Sequence, residues 1–449
     1  MKKILLVCNY FAPDNAIAAV RITKFAKYLK KAGYEVTVIA EQKTDSLKDS
    51  ILEKDAEGIK VIRASNSHKM MKIIGMYEKA IFRIRKKRFE NLNDRVKVNP
   101  KTGKKEFFPF QTAHPVIGSL DYFFEILRQH DLLKGIEQVL PQHFDSDYFI
   151  TSYGNLFGLY VGRYMHRKYK DIPWIVDIRD NICQSKFTPC YVKPYAKRLE
   201  NIIWKEADCI IGVSKGICRR VPSRYRKKVH CITNGYDMTD RDGMERSFHN
   251  KQMVFSYTGS MYGGLRNLEP YFRCMQELIE EGSIEADNIR ILYAGRSSAY
   301  EIFRTQAQSC GMGDRCAYIG MLERKDALKL QMESDVLLVS TFDDQLDGGG
   351  SITGKVLEYM SAGKPIIAII NGTVSGSELG EMIKDGKLGF AYEEMCADED
   401  IVGLKKYIRS MYEGYMRNGK IDHSPEKRIL QRYDYRNLSR RMIRVLESQ

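Results

Sequence analysis

The 449-residue sequence lacks any apolar run approaching the ~20 residues that a membrane-spanning helix needs. Its opening apolar stretch, Ile4 to Cys8, is shorter than the core of a secretion signal, and Asn9 and Asp14 keep it from extending. It is therefore expected to be a first strand. The ten cysteines show no Cys-x-x-Cys spacing and no dense framework, which argues against zinc or disulfides and for reduced, mostly buried thiols. The Gly-x4-Gly-Lys-Ser/Thr order of a Walker loop is missing. Acidic residues are in deficit: 57 against 72 basic ones leave a formal charge of +15.

That excess is local. Thirteen basic residues lie between Lys69 and Lys105, opposed by Glu78, Glu90 and Asp94 alone. Within this segment Met70, Ile74, Tyr77, Ile81 and Ile84 recur at helical spacing, with Lys72, Lys79, Arg83 and Lys86 largely on other faces. Such a helix suits an anionic membrane interface. The same periodicity also fits a helix packed on a core with a solvated basic face. Val96 to Lys105 is basic and poorly patterned and reads as a loop.

What is present in quantity is alternation of strands and helices. Lys3 to Cys8 predicts a strand buried on both faces, Ala18 to Lys31 a helix stopped by Gly33, and Glu35 to Ala40 the next strand. Strands are expected again at Ile59–Arg63, Tyr148–Ser152, Trp174–Asp177, Cys209–Val213 and Val229–Thr233. Val116 to Leu140, Leu156 to Tyr169 and Val192 to Ala207 read as helices. The polar stretch Met238 to Lys251 is the best linker. A second series begins beyond it, with strands at Met253–Thr258, Ile289–Ala294, Ala317–Ile319, Val336–Val339, Pro365–Ile370 and Leu388–Tyr392, and a closing helix over the last ~25 residues. Two doubly wound α/β domains are predicted, over 1–238 (with the basic segment 69–107) and 252–422, with a helix in 423–449. A tandem pair of this kind implies a cleft between its members.

The most chemical stretch is Asp347 to Pro365. A glycine turn, Gly348-Gly349-Gly350, leads into a short helical pattern from about Gly354 to Ala362, stopped by Gly363. The helix N-terminus offers free N–H groups and the positive end of a dipole to an anion. Lys355 adds a full charge in the first turn. One turn on, the Glu358 carboxylate can accept two neighbouring hydroxyls. An anion site and a diol acceptor at this spacing suit a ribose diphosphate. The bland alternative is that the glycines only turn the chain and Glu358 is a solvated helix residue.

Taken together, the loops resemble the retaining GT-B glycosyltransferases of family 4, in particular bacterial members that build capsule, exopolysaccharide or O-antigen. The matching pieces are Tyr10-Phe11-Ala12-Pro13-Asp14-Asn15 with Arg21, Trp174-Ile175-Val176-Asp177-Ile178-Arg179-Asp180, Asn234-Gly235-Tyr236-Asp237, Tyr257-Thr258-Gly259-Ser260, and Thr353-Gly354-Lys355-Val356-Leu357-Glu358-Tyr359. Five weak motifs in order, each at a predicted strand end, make a strong one. The resemblance implies an acceptor-binding first domain and a second domain for a nucleotide-diphosphate sugar. Glu358 would hold the ribose hydroxyls, Gly354 with Thr353, Ser351, Gly259 and Ser260 the diphosphate side, and Arg266 and Lys355 its charge. Arg296 is a further nucleotide contact or an exposed loop arginine. Asn15, Arg21 and Arg179 would form the acceptor side, and Asp180 and Tyr153 would take part in catalysis.

This chain departs from the pattern twice. Many members carry glutamates eight positions apart, and Gly350 stands where the first would be. Many carry a histidine after the strand that here ends in Thr151-Ser152-Tyr153-Gly154. The resemblance implies a retaining transferase needing no metal or other cofactor, because cations and backbone donors can neutralise the departing diphosphate. A lipid-linked or polysaccharide acceptor, an anionic membrane surface met by the basic segment, and a cytoplasmic place on the inner face of the plasma membrane are expected. The alternatives are a GT-B nucleotide-sugar epimerase or hydrolase, against which the basic block counts, and a nucleic-acid-binding protein. No nucleic acid is expected, since the aromatics near the basic block sit at core spacing and no recognition motif is present.

Overall fold

The computed structural model describes residues 1–43, 48–88, 96–98, 105–107, 115–143, 145–154, 156–180, 191–244, 252–342, 352–373 and 375–449. The chain divides into two compact units. The first takes residues 1–96, 108–234 and 435–449, and the second 97–107 and 235–434.

Seven parallel strands carry the first unit: β1 (Lys3–Cys8), β2 (Glu35–Glu41), β3 (Lys60–Ala64), β4 (Tyr148–Tyr153), β5 (Trp174–Ile178), β6 (Cys209–Gly212) and β7 (Val229–Cys231). Their order is β3-β2-β1-β4-β5-β6-β7, with Ile4 of β1 opposite Val36 on one side and Tyr148 on the other. The continuous apolar character of β1 results from burial on both faces. Ile4 and Leu6 face one core layer and Leu5 and Val7 the other, as the two-residue period of a strand requires. Helix α1 (Ile17–Lys31) lies in the first layer, and α3 (Pro115–His143) contributes Leu132, Ile136 and Leu140 to the second.

The last helix, Tyr435–Glu447, belongs to the first unit. Tyr435, Leu438, Met442 and Leu446 recur on one face and are buried there, with Tyr435 edge-on to Phe25 of α1 at 5.5 Å. Arg441 donates to the carbonyl of Cys231 at 2.6 Å, and Tyr34 to Glu447 at 3.0 Å.

The second unit has six parallel strands: β8 (Met253–Thr258), β9 (Ile289–Ala294), β10 (Cys316–Gly320), β11 (Val336–Phe342), β12 (Ile366–Asn371) and β13 (Gly389–Glu393), in the order β10-β9-β8-β11-β12-β13. Both sheets thus reverse direction beside their first strand, and such a switch point is where a ligand crevice forms.

Two expectations change. Met238 to Arg241 is not linker. Asp237 caps this turn, and Arg241 is buried in the second unit, donating to Leu328 O, Gln331 Oε1, Glu358 O and Ser361 Oγ at 2.7–3.0 Å. Four hydrogen bonds offset the burial of this guanidinium, which composition alone does not reveal. Residues 245–251 of the expected linker lie outside the described residues. Val96–Val98 and Lys105–Phe107 pair as a two-stranded ribbon where a loop was expected. The basic helix α2 (His68–Arg88) spends the Ile74, Tyr77 and Ile81 part of its apolar stripe on α3: Tyr77 stacks on Phe124 at 4.0 Å and bonds to Asp121 at 2.6 Å. The side chains of Lys86, Lys87 and Arg88 lie outside those described. Among the described residues no helix is long and apolar enough to cross a membrane.

Candidate functional site

In the second unit the chain leaves β8 through Gly259, whose φ of 117° belongs to the left-handed region that favours glycine. A Cβ there would stand 2.3 Å from the Lys355 Nζ, so the ammonium rests against this backbone. Lys355 is in the first turn of α4 (Gly354–Ala362), for which Thr353 is the cap residue in extended conformation. Tyr359 fixes that helix to β8, its hydroxyl meeting the Thr258 amide at 3.2 Å and the Thr258 hydroxyl at 3.0 Å. The helix N-terminus is thereby held beside the Gly259–Ser260 turn.

The polar groups at this place are under-used. Among the described residues Lys355 Nζ is buried with no hydrogen-bond partner, and it lies over the Tyr257 ring at 4.7 Å. Arg266 donates one N–H to Ser260 O at 2.9 Å and lies against Tyr262, yet its buried Nε is unpaired. The Thr353 hydroxyl is likewise buried and unpaired. Burial, then the Arg266 charge, hold the Lys355 pKa well below its ordinary value, and Glu358 opposes them weakly. Native interiors seldom leave such groups unpaired. Two cations, a hydroxyl and a helix N-terminus, with no carboxylate bonded to either cation among the described residues, are groups that can hold an anion.

Glu358 is one turn further on, with 27% of its side chain exposed. Its Oε1 accepts from Arg324 Nε at 3.2 Å, and Arg324 also meets Asp240 at 2.9 Å. Arg324 escapes sequence reading, since it comes from helix Arg324–Glu333 with no motif around it. Arg296 is exposed at the start of helix Ser297–Gln308. Its neighbour Gly295 packs so closely that a Cβ would stand 2.7 Å from Gly259 O. The loops after β8 and β9 therefore adjoin. Ser260 is exposed, and Ser351 and the preceding glycines lie outside the described residues.

The first unit holds a different cluster at its strand ends. Arg21 is buried and grips Asp177 through Nε and Nη2 at 2.7–3.1 Å. Its remaining donors reach Ile232 O, Thr233 O and Asn234 Oδ1 at 2.8, 2.7 and 3.3 Å. Arg21, which the resemblance places on the acceptor side, ties α1 to β5 and the end of β7, with its donors committed internally. Tyr153 is 1% exposed and lies in the core, which removes its ring from the surface. Asp180 and Asn15 are exposed. Arg179 donates to Ala18 O at 3.0 Å, and a Cβ on Gly154 would meet its Nη2 at 2.7 Å and Asp180 Oδ2 at 3.0 Å. Gly154, Arg179 and Asp180 thus come together, while Asn15 joins none of these bonds. Glu41, at the end of β2, was not anticipated. Asn9, Lys43 and Arg128 all bond to it, and these cations outweigh its burial and lower its pKa.

Residues 252–413, within the second unit, match the family model described as Glycosyl transferases group 1. Over the full length the fold is similar to HepE of Anabaena, solved with UDP and glucose (13% identity, 100% of each chain, TM-score 0.60). It is also similar to sucrose-phosphate synthase of Thermosynechococcus elongatus (13% identity, 100% of this chain and 99% of that one, TM-score 0.58). The lipopolysaccharide outer core galactosyltransferase WaaB matches as well (12% identity, 99% of each chain, TM-score 0.57). None of the curated proteins compared matches significantly. Two all-parallel α/β units with these neighbours define the GT-B fold.

Proposed function

We propose that the protein is a retaining glycosyltransferase that moves a sugar from a nucleotide-diphosphate donor to a glycan acceptor without a metal. The observation that carries this is the set of buried, unpaired groups at one helix N-terminus: Lys355 Nζ, Arg266 Nε and Thr353 Oγ1. A diphosphate satisfies all three, and the α4 amides add donors. Glu358 then exchanges Arg324 for the ribose hydroxyls. As the glycosidic bond breaks, charge grows on the departing phosphate, where Lys355 and Arg266 stabilise it. UDP in the HepE structure makes a uridine donor the first to try.

The acceptor in this reading is a lipid-linked or polysaccharide glycan of the bacterial surface, met at the inner face of the plasma membrane. Its support is the exposed face beside the basic helix. Met76 of α2 and Val116, Leu120 and Phe123 of α3 are 58, 74, 40 and 54% exposed, and Lys69, Lys72 and Lys79 are exposed on the same helix pair.

The test is a thermal-shift panel of UDP-, GDP-, ADP- and CDP-sugars, then NMR of the product's anomeric centre. One class of donor raises the melting temperature by mass action and Lys355→Met reduces the shift. Inverted product, or no stabilisation by any donor, refutes the reading. Flotation with anionic vesicles tests the membrane part: Lys72→Glu with Lys79→Glu releases the protein at physiological salt while donor binding persists.

A further inference from the structure

Helices α2 and α3 line a half-open cavity of about 170 Å³ in the first unit. Ile74, Tyr77, Ile81 and Phe124 form an apolar wall with the stacked Tyr77–Phe124 pair at its centre. Glu78, Asp121, Glu125 and Arg128 form the polar side. The walls are built rather than incidental. Tyr77 bonds to Asp121 at 2.6 Å, Arg128 grips both oxygens of Glu125 at 2.9 Å, and the buried Gln129 also donates to Glu125. Arg128 further reaches Glu41 at the end of β2. The cavity therefore adjoins the carboxyl ends of the strands, the side on which sheets of this type bind ligands.

Its chemistry is selective. Three carboxylates face one guanidinium, and that guanidinium is already paired, so the lining repels phosphate and carboxylate. Carboxylates accept hydroxyl donors, and aromatic faces take apolar C–H surface. The volume is below the roughly 300–1,000 Å³ of sites for drug-sized ligands, so it has room for a single ring.

We infer that this cavity holds one neutral, hydroxyl-rich sugar ring of the acceptor, an assignment that rests on the glycosyltransferase reading. The ring's C–H face lies on Tyr77 and Phe124, and its hydroxyls donate to Asp121, Glu125 or Glu78.

Saturation-transfer NMR on the full chain, without donor, tests this with methyl glycosides of glucose, galactose, mannose and N-acetylglucosamine. At least one of them binds; Asp121→Asn weakens it about tenfold, the loss expected for a hydrogen bond to a charged group, and Phe124→Leu weakens it several-fold through loss of the aromatic face. The thermal shift with UDP stays the same in both variants, which also reports that they fold. Absence of glycoside binding while UDP binds overturns the inference. So does binding that both variants retain, or tighter binding of glucose 6-phosphate than of methyl glucoside. If UDP fails to bind but a glycoside binds and both variants weaken it, the donor reading falls and the sugar cavity stands.

Discussion

Arg21 in the first unit and Lys355 in the second are both buried cations near the strand ends of a parallel sheet, and they are treated in opposite ways. Arg21 has a bidentate carboxylate and three further acceptors, so its charge is spent inside the fold. Lys355 has an aromatic ring, a neighbouring arginine and no hydrogen bond. A buried charge with every donor used is structure. A buried charge with none used among the described residues is what the proposed diphosphate site needs, since preorganised sites give up stability for their ligand.

The largest expected effect breaks the first half of that contrast. Arg21→Met leaves Asp177 buried without its partner and costs about 3–5 kcal/mol of stability, as for other broken buried pairs. Urea denaturation measures it, and a loss near zero would return Arg21 to the ligand contacts.

Lys355→Met is predicted to act with the opposite sign. It removes an unsatisfied ammonium, so the empty protein is as stable or more so, while UDP affinity falls by about 1.5–3 kcal/mol, or 10- to 100-fold. Calorimetry and denaturation on the same variant check both halves, and a joint loss of stability and affinity would erase the contrast with Arg21. Glu358→Gln comes next. It keeps the fold and weakens UDP by about 1.5 kcal/mol, because the amide accepts two hydroxyls less well. Activity is predicted to survive EDTA, and a strict requirement for Mg²⁺ or Mn²⁺ would show that Lys355 and Arg266 do not suffice.

The smallest effect is in pH. The Lys355 pKa is depressed in the empty protein, so the unfolded chain binds more protons between that value and the ordinary one. Stability therefore rises with pH across this window. A diphosphate restores the protonated form, so UDP binding takes up a fraction of a proton and weakens as pH rises through the depressed value. Calorimetry in buffers of different ionisation enthalpy reads the uptake, which disappears in Lys355→Met.

Much of the fold was legible in the chain. The strands that became β1, β2, β8 and β12 are runs of apolar residues bounded by turn residues, and a run buried on both faces needs no partner to be recognised. The glycine-stopped helix from Gly354 carried Lys355 and Glu358 at a spacing that helical geometry alone converts into one face. Local periodicity therefore determined the two α/β units and the helix that carries the proposed anion site.

Tertiary structure decided what each charge is for. Arg21 and Arg266 are both arginines in loop-to-helix motifs, and only the fold shows that one meets Asp177 from 156 residues away while the other is left short of partners. Arg324 reaches Glu358, and Arg128 reaches Glu41, across separations that no local pattern encodes. The apolar stripe of α2 shows the same limit. Its period announced a buried face, and only packing against α3 revealed what buries it. Periodicity is a property of neighbours along the chain, whereas the pairing of a buried charge depends on distant segments brought together.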